Sequence, residues 1–297
     1  LNQHRHNLCH DRHGFIRLHG LYFVCMKNII SISGGNDSIA MLQWVIENRD
    51  FFGDEEFTAL YCNTGWAISW WGGRMQKVAA FCQSNNIEYK ETSAKLGFED
   101  LVRKKGIFPN RIQKYCTFEL KVKPITQWRK ENKFSTKNSR VFIGVRADES
   151  KARSNTTSLG ERDGYEAIYP LAYLSDEQRD EYIIKAGFDV LPTRSSECHP
   201  CIYEFSKIKL RNLEPDRADL IENLENDITQ YQNAKRKMRK HPKYDPKEMF
   251  GMFNSSNIGT GKGGIKEQIR WANSSIGGYN KDQVEMFCED QVGYCGD

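Results

Sequence analysis

Residues 31–38 read Ser-Ile-Ser-Gly-Gly-Asn-Asp-Ser, between a short apolar stretch and the segment IAMLQWVIE. Two adjacent glycines, an amide, a carboxylate and flanking hydroxyls where a strand meets a helix suit the binding of phosphate. Gly34 and Gly35 permit backbone angles and a close approach that a side chain forbids. The amides of the turn and of the first helical turn then converge on one point, where the helix dipole adds positive potential. Ser33 and Ser38 can donate to phosphate oxygens. Asp37 would repel phosphate unless a divalent cation stood between them, so it implies Mg2+. Asn36 supplies donors without charge, which leaves the phosphate charge to the loop amides, magnesium and arginines. The alternative is a plain glycine turn with Asp37 capping the helix. The loop is not a Walker loop, which is longer and ends in Lys-Ser or Lys-Thr. Gly-Thr-Gly-Lys-Gly-Gly at 259–264 lacks that hydroxyl and reads as a flexible loop.

Cysteine is the second chemistry-bearing type. Nine cysteines is an odd number, and no secretion signal is evident, so a disulfide framework gives way to a reducing compartment and a cytoplasmic location. Cys62 and Cys82 fall at apolar positions and read as small core hydrophobes. Cys116, Cys198, Cys201, Cys288 and Cys295 fall among polar and turn residues. Glu-Cys-His-Pro-Cys at 197–201 is a C-x-x-C, open to three readings: a zinc half-site, a redox pair or an accident.

The elements that must position these groups follow from periodicity. Short buried strands are expected over 27–32, 57–62, 87–92 and 140–145, with helical spacing over 39–48, 73–85, 98–105, 118–132 and within 169–187. Strands alternating with helices predict an α/β fold with a parallel, doubly wound sheet. Ligands of such sheets bind outside the carboxyl ends of the strands, where 33–38, 63–65 and 146–150 all fall. From about 212 the pattern turns to long polar helix, including the basic run NAKRKMRKHPK, which reads as a solvated helix end or a phosphate-backbone contact. Residues 1–25 carry five of the seven histidines, lack the layout of a signal peptide, and read as an ill-ordered extension or a cloning remnant. The expected organisation is therefore this extension, a nucleotide-binding domain over 26–210 and a mostly helical region over 211–297. The chain is 39% hydrophobic and 12% aromatic, enough for a core and against disorder. A net charge of +4 does not by itself imply a nucleic-acid partner, and no apolar run suits a membrane span.

The loop resembles the PP-loop of the N-type ATP pyrophosphatases, usually written Ser-Gly-Gly-Lys-Asp-Ser. The wider pattern resembles the branch containing phosphoadenosine phosphosulfate (PAPS) reductases and related sulfur-transfer enzymes. The likeness spans Met26 to Glu204. NTGWAISWW (63–71) resembles the segment after the second strand, CTFELKVKP (116–124) the Cys-…-Lys-x-x-Pro segment, and GVRADESKAR (144–153) the Gly-x-Arg-x-x-Glu-Ser segment. Four matches in the family's order are far more specific than one. The resemblance implies an adenine nucleotide alpha-hydrolase-like fold with ATP or an adenylyl nucleotide across the strand ends. Ser33, Gly34, Gly35 and Ser38 would hold the terminal phosphates, with Asn36 in the same loop, while Asn63, Thr64 and Gly65 would lie beside the nucleotide. Arg146 would meet phosphate through its guanidinium fork, and Arg153, Lys121 and Lys123 are further phosphate candidates. The alternative for Arg146 is an ion pair with Asp148 or Glu149.

The likeness extends to the iron–sulfur subfamily, in which a cysteine pair and a later C-x-x-C hold a [4Fe–4S] cluster. Here Thr117 breaks the pair. The implied ligands are Cys116, Cys198, Cys201 and Cys295, with Cys288 the rival for the fourth place and Zn2+ the rival metal. The function so implied is cleavage of ATP to AMP and pyrophosphate, adenylating an acceptor from which a sulfur donor displaces AMP. Asp37 and Arg146 would be its catalytic residues. Nucleic acid or a sulfur-donor protein are the partner candidates, and an oligomer is open. Two alternatives stand: a PAPS or adenylyl-sulfate reductase, against which the tail offers only GYCGD, and a non-catalytic nucleotide-binding partner subunit.

Overall fold

Ile29, Ile30 and Ile32 lie in a six-residue strand whose side chains serve both faces of a central sheet. The computed structural model describes residues 15–18, 21–24, 26–53, 55–110, 112–149, 153–192, 196–202, 210–238, 249–253 and 263–275. His4, His6, His10, His13, His19, Cys288 and Cys295 lie outside the described residues.

The chain divides into two compact units. The first comprises residues 1–97 and 117–199, the second 98–116 and 200–297. Strands β1 (Phe15–Leu18) and β2 (Leu21–Val24) pair antiparallel as a separate hairpin. They lie within the stretch 1–25 that reads from sequence as an ill-ordered extension, and the other residues of that stretch lie outside the described ones.

The main sheet holds β3 (Lys27–Ile32), β4 (Glu56–Asn63), β5 (Glu88–Ser93), β6 (Ser139–Ile143), β7 (Leu159–Arg162) and β8 (Tyr165–Ile168), in the order β5-β4-β3-β6-β8-β7. All pairings are parallel except the β7–β8 hairpin at one edge. The chain runs outward from β3 through β4 to β5, then crosses back to lay β6 on the other side of β3. That reversal makes the carboxyl ends of β3 and β6 a topological switch point, where open α/β sheets bind ligands.

Alternation assigns each face. Ile30, Ile32, Phe57, Ala59, Tyr61 and Phe142 pack under α1 (Asn36–Glu47), α2 (Trp71–Ser84) and α6 (Asp176–Lys185). Ile29, Leu60, Val141 and Ala167 face Ile125 and Trp128 of α5 (Lys123–Glu131) on the other side. Helices thus cover both faces, as a doubly wound sheet requires. Ahead of α5 come α4 (Tyr115–Thr117) and a π-helical turn over Phe118–Val122. Edge strand β5 alternates charged and half-buried residues, which discourages further pairing. Cys62 and Cys82 are buried in the core, as their apolar neighbours imply.

In the second unit, α3 (Phe98–Lys105) packs on α7 (Pro215–Met238), and α7 also supports α8 (Ile265–Ala272). Glu225 of α7 is wholly buried. Its two carboxylate oxygens accept from the amides of Met252 and Ile265, both at 2.8 Å, so it caps the start of α8. A side chain on Gly264 would sit 2.4 Å from Glu225 Oε2, which gives one glycine of the former Gly-Thr-Gly-Lys-Gly-Gly motif a packing role.

Candidate nucleotide site

The loop after β3 follows from two glycines with different duties. Gly34 has φ of +77°, and a Cβ there would fall 2.6 Å from Met75 Sδ and 3.1 Å from the Trp71 ring. Left-handed geometry and the lack of room both demand glycine. Gly35 is the N-cap of α1, and no side chain caps the helix. Asp37, read from sequence as a possible cap, instead lies inside the first turn, as does Ser38. Ser38 is buried and donates to the Gly35 carbonyl at 2.9 Å, while Ser33 Oγ accepts from Gly35 N at 3.4 Å. The hydroxyls thus brace the loop, and the first-turn amides, which carry the positive end of the helix dipole, have no side-chain acceptor.

The side-chain amide of Asn36 is engaged with the backbone of Leu191. Its Nδ2 donates to the Leu191 carbonyl at 2.8 Å and its Oδ1 accepts from Leu191 N at 2.9 Å. Only a primary amide can both donate and accept in this way, which a lysine cannot do. Arg74 of α2 closes the other side: Nε donates to the Gly34 carbonyl at 2.7 Å and Nη2 to the Asp189 carbonyl at 3.3 Å. Loop and 189–191 segment are clamped together twice.

Arg146 follows β6 and is only 5% exposed. Its Nε bonds Asp37 at 3.1 Å, Nη1 bonds Asp148 at 3.0 Å and Nη2 bonds Asp176 at 2.8 Å. Arg179 of α6 adds contacts to Asp176 at 2.7 Å, Asp180 at 2.6 Å and Asp37 at 3.8 Å. The pair with Asp148 is the ion-pair alternative weighed from sequence; the Glu149 side chain lies outside the described ones. Four carboxylates against two guanidiniums leave no surplus positive charge here. Asp37 Oδ1 lies between two arginines, and the side chain remains partly exposed. Gly144 lets β6 approach: a Cβ there would meet the Asp37 carbonyl at 2.8 Å.

At the end of β4, Asn63 Oδ1 accepts from Gly65 N and its Nδ2 donates to Glu91, both at 2.9 Å, and Gly65 has φ of +66°. Buried Thr64 donates to the Glu197 carbonyl at 2.8 Å. His199 N donates to the Trp66 carbonyl at 2.7 Å and Ile68 N to that of Ser196 at 3.1 Å, so 64–68 and 196–199 pair around a bridge between Trp66 and Cys198. Lys121, a phosphate candidate from sequence, bonds Glu197 at 2.9 Å. Burial pushes the Glu197 carboxyl above the usual carboxylate range, and Lys121 draws it back. Burial, with Glu197 next in effect, pushes the neighbouring Cys62 thiol up to about 12, so Cys62 is no thiolate nucleophile at neutral pH. Lys123 pairs with Glu119 on the surface at 3.1 Å, and Arg153 stands in an exposed turn.

Among the cysteines expected to ligate a metal, Cys198 belongs to the first unit and Cys116 and Cys201 to the second. Cys198 and Cys201 are partly exposed and Cys116 is buried. Among the described residues no group of three or more His, Cys, Asp or Glu side chains is gathered to hold a metal. The fourth expected ligand, Cys295, and its rival Cys288 lie outside the described residues. None of the helices among the described residues is long and apolar enough to cross a membrane.

Sequence reasoning missed Arg74, Asp176, Arg179 and Glu197. A signal existed for two of them. Ser175 and Gln178 form a capping box, which fixes the start of α6 and puts Asp176 and Arg179 in its first turn.

A family model described as phosphoadenosine phosphosulfate reductase domain matches residues 27–199. No curated protein matches the sequence. Among solved structures, the chain is similar to the phosphate complex of PAPS reductase from Candida auris, with 15% identity, 55% of this chain and 74% of that one covered, and a TM-score of 0.39. It is similar to the U34-tRNA thiolase NcsA from Methanococcus maripaludis with its [4Fe-4S] cluster, with 18% identity, 73% of each chain covered and a TM-score of 0.42. NAD+ synthetase from Burkholderia pseudomallei gives 17% identity, 56% and 67% coverage and a TM-score of 0.33.

Proposed function

We propose that this chain, which belongs to the phosphoadenosine phosphosulfate reductase domain family, binds ATP across the carboxyl ends of β3, β4 and β6 and cleaves it to AMP and pyrophosphate in support of sulfur transfer. The observation that carries this reading is the loop itself. An uncapped helix N-terminus follows a glycine at φ +77° at the switch point of a parallel sheet. Amides at that point suit the β and γ phosphates; pyrophosphate would leave as an acceptor oxygen attacks the α phosphorus, and AMP would leave when a sulfur donor displaces it from the adenylated acceptor. Charge developing on the leaving oxygens falls on fixed backbone donors, which need no reorganisation at the moment of reaction. Arg74, bonded to the Gly34 carbonyl, is a cation at the rim of the loop. Arg146 and Arg179 hold the first turns of α1 and α6 together, so we assign Arg146 to positioning Asp37 and the loop.

One observation favours a second reading. With Asp37 Oδ1 between two arginines, the site suits a nucleotide bound without a protein-anchored metal, as a sulfonucleotide reductase would bind PAPS. The test is ATP labelled at the α phosphate, incubated with thiol and with candidate acceptors, nucleic acid included. Labelled AMP with stoichiometric pyrophosphate supports ATP cleavage. Sulfite from PAPS with a thiol, and no pyrophosphate from ATP, would establish the reductase. Nucleotide binding with neither product would leave a non-catalytic partner subunit.

A further inference from the structure

The basic run at the end of α7 is the sequence feature that the nucleotide site leaves unused. In the structure it is one part of a larger surface. Charge is largely segregated along α7: Asp216, Asp219, Glu222, Glu225 and Asp227, with Arg217 as the one cation among them, occupy its first half, and beyond Asp227 the described helix carries only Lys235, Arg236 and Lys237 as charged residues. Helix α3 shows the same polarity, with Glu99 and Asp100 in its first turn and Arg103, Lys104 and Lys105 in its last.

The two helices bring these ends together. Arg103 pairs with Asp227 at 3.0 Å, and one turn further Gln232 donates to the Gly106 carbonyl, so α3 and α7 run in the same sense. Gly106 ends α3 at φ +65°, and the Tyr231 ring occupies the space that a Cβ on Gly106 would need. No described carboxylate pairs with Lys104, Lys235 or Lys237. Aromatic rings are interleaved with the cations: Lys235 Nζ lies 5.7 Å from the centre of the Tyr231 ring, and Lys105 Nζ lies 5.6 Å from that of Tyr115. Tyr231 is 50% exposed.

Complementing two helix dipoles would explain cations at these ends, at about 0.3–1 kcal/mol each. It does not explain a half-exposed tyrosine at their centre. We infer that this surface of the second unit binds single-stranded nucleic acid, with Lys104, Lys105, Lys235 and Lys237 meeting backbone phosphates and Tyr231 stacking on an unpaired base. A π-face beside mobile ammonium groups is what a sequence-tolerant single-strand contact needs; a duplex keeps its bases stacked away from such a ring. The inference rests on the proposed transfer only in making the nucleic acid its acceptor, and binding is measured without ATP.

The experiment is fluorescence anisotropy of a fluorescein-labelled single-stranded oligonucleotide titrated with the full chain over a range of salt. Binding should weaken as salt rises. The triple variant Lys104→Glu, Lys235→Glu, Lys237→Glu should bind at least about tenfold more weakly and lose roughly 2 from the slope of log K against log salt, at about 0.7 per phosphate contact. Tyr231→Leu, which keeps an apolar side chain on Gly106, should lose about fivefold or more with the slope unchanged. No binding by the wild type, or wild-type affinity in the triple variant, would overturn the inference. Equal loss of binding to anionic phospholipid vesicles, with no preference for the oligonucleotide, would reassign the surface to a membrane. If the oligonucleotide binds as expected but ATP gives no pyrophosphate, the surface stands and the ATP reading fails.

Discussion

Replacing Asn36 by alanine tests the claim that this residue holds the loop and not the ligand. Its side chain makes two hydrogen bonds to one backbone unit, at 2.8 and 2.9 Å to Leu191. Each contributes about 1 kcal/mol net, and the deletion leaves a half-buried N–H and C=O that water reaches only in part, so the total is about 2–3 kcal/mol. For a chain of this size that lowers the melting temperature by roughly 3–5 °C. Circular dichroism melts of wild type and variant provide the measurement. Asn36→Asp should be at least as harmful, because its second oxygen would face the Leu191 carbonyl. Asn36→Lys should lose similar stability, since lysine has no acceptor for Leu191 N, and any gain in nucleotide affinity would come with that loss. An Asn36→Ala protein that melts with wild type would show that the Leu191 contacts do not hold the loop.

Gly34→Ala should lower stability by about 1–2 kcal/mol from the left-handed backbone alone, and should weaken ATP binding in isothermal titration because the loop amides are displaced. Arg146→Ala leaves the partly exposed Asp37 with only Arg179, at 3.8 Å, as a neighbouring cation, so chemical denaturation should show a loss of about 1.5–3 kcal/mol, only partly restored in Arg146→Lys. Glu225, pushed up to about 7 by burial against an ordinary 4.5, stays protonated in the folded state after the unfolded chain has released its proton. Its stabilising contribution is therefore full below about pH 4.5 and lost as pH rises through about 7, and Glu225→Gln should flatten that slope in urea melts. Protein purified without oxygen should carry iron and sulfide that Cys198→Ser and Cys201→Ser remove and Cys82→Ser does not; stoichiometric zinc, or no metal, would overturn the ligand set.

The sheet was legible in the sequence because its strands are short apolar runs with helices of matching period between them. The β7–β8 hairpin was passed over, although Asp163-Gly164 is a strong two-residue turn signal; both have positive φ, at 54° and 80°. Its flanks read LGER and YEAI, too polar to announce a strand, because β7 is an exposed edge. The loop and its glycines were legible for the same reason that they function, since few residues tolerate that backbone. The partners of Arg146 and Asn36 were not. Asp176 and Leu191 reach them from 30 and 155 residues away, through packing of α6 that no local pattern encodes. Lys121 illustrates the converse: its type suggested phosphate, and a buried glutamate 76 residues distant claims it.

The pairing of 64–68 with 196–199 also bears on the order in which the protein assembles. Thr64 and Glu197 are separated by 133 residues, so their contact closes a very long chain segment. Closure entropy grows only slowly with length, but long-range pairings are rewarded only once both ends are fixed, which slows them relative to local structure. Strands β3 and β4 have neighbours in sequence and can pair while the C-x-x-C is still to be placed. Cys198 therefore takes its position late, after the nucleotide loop has formed. Thr64→Val should accordingly raise the unfolding rate and leave the folding rate almost unchanged, the behaviour of a contact made after the transition state.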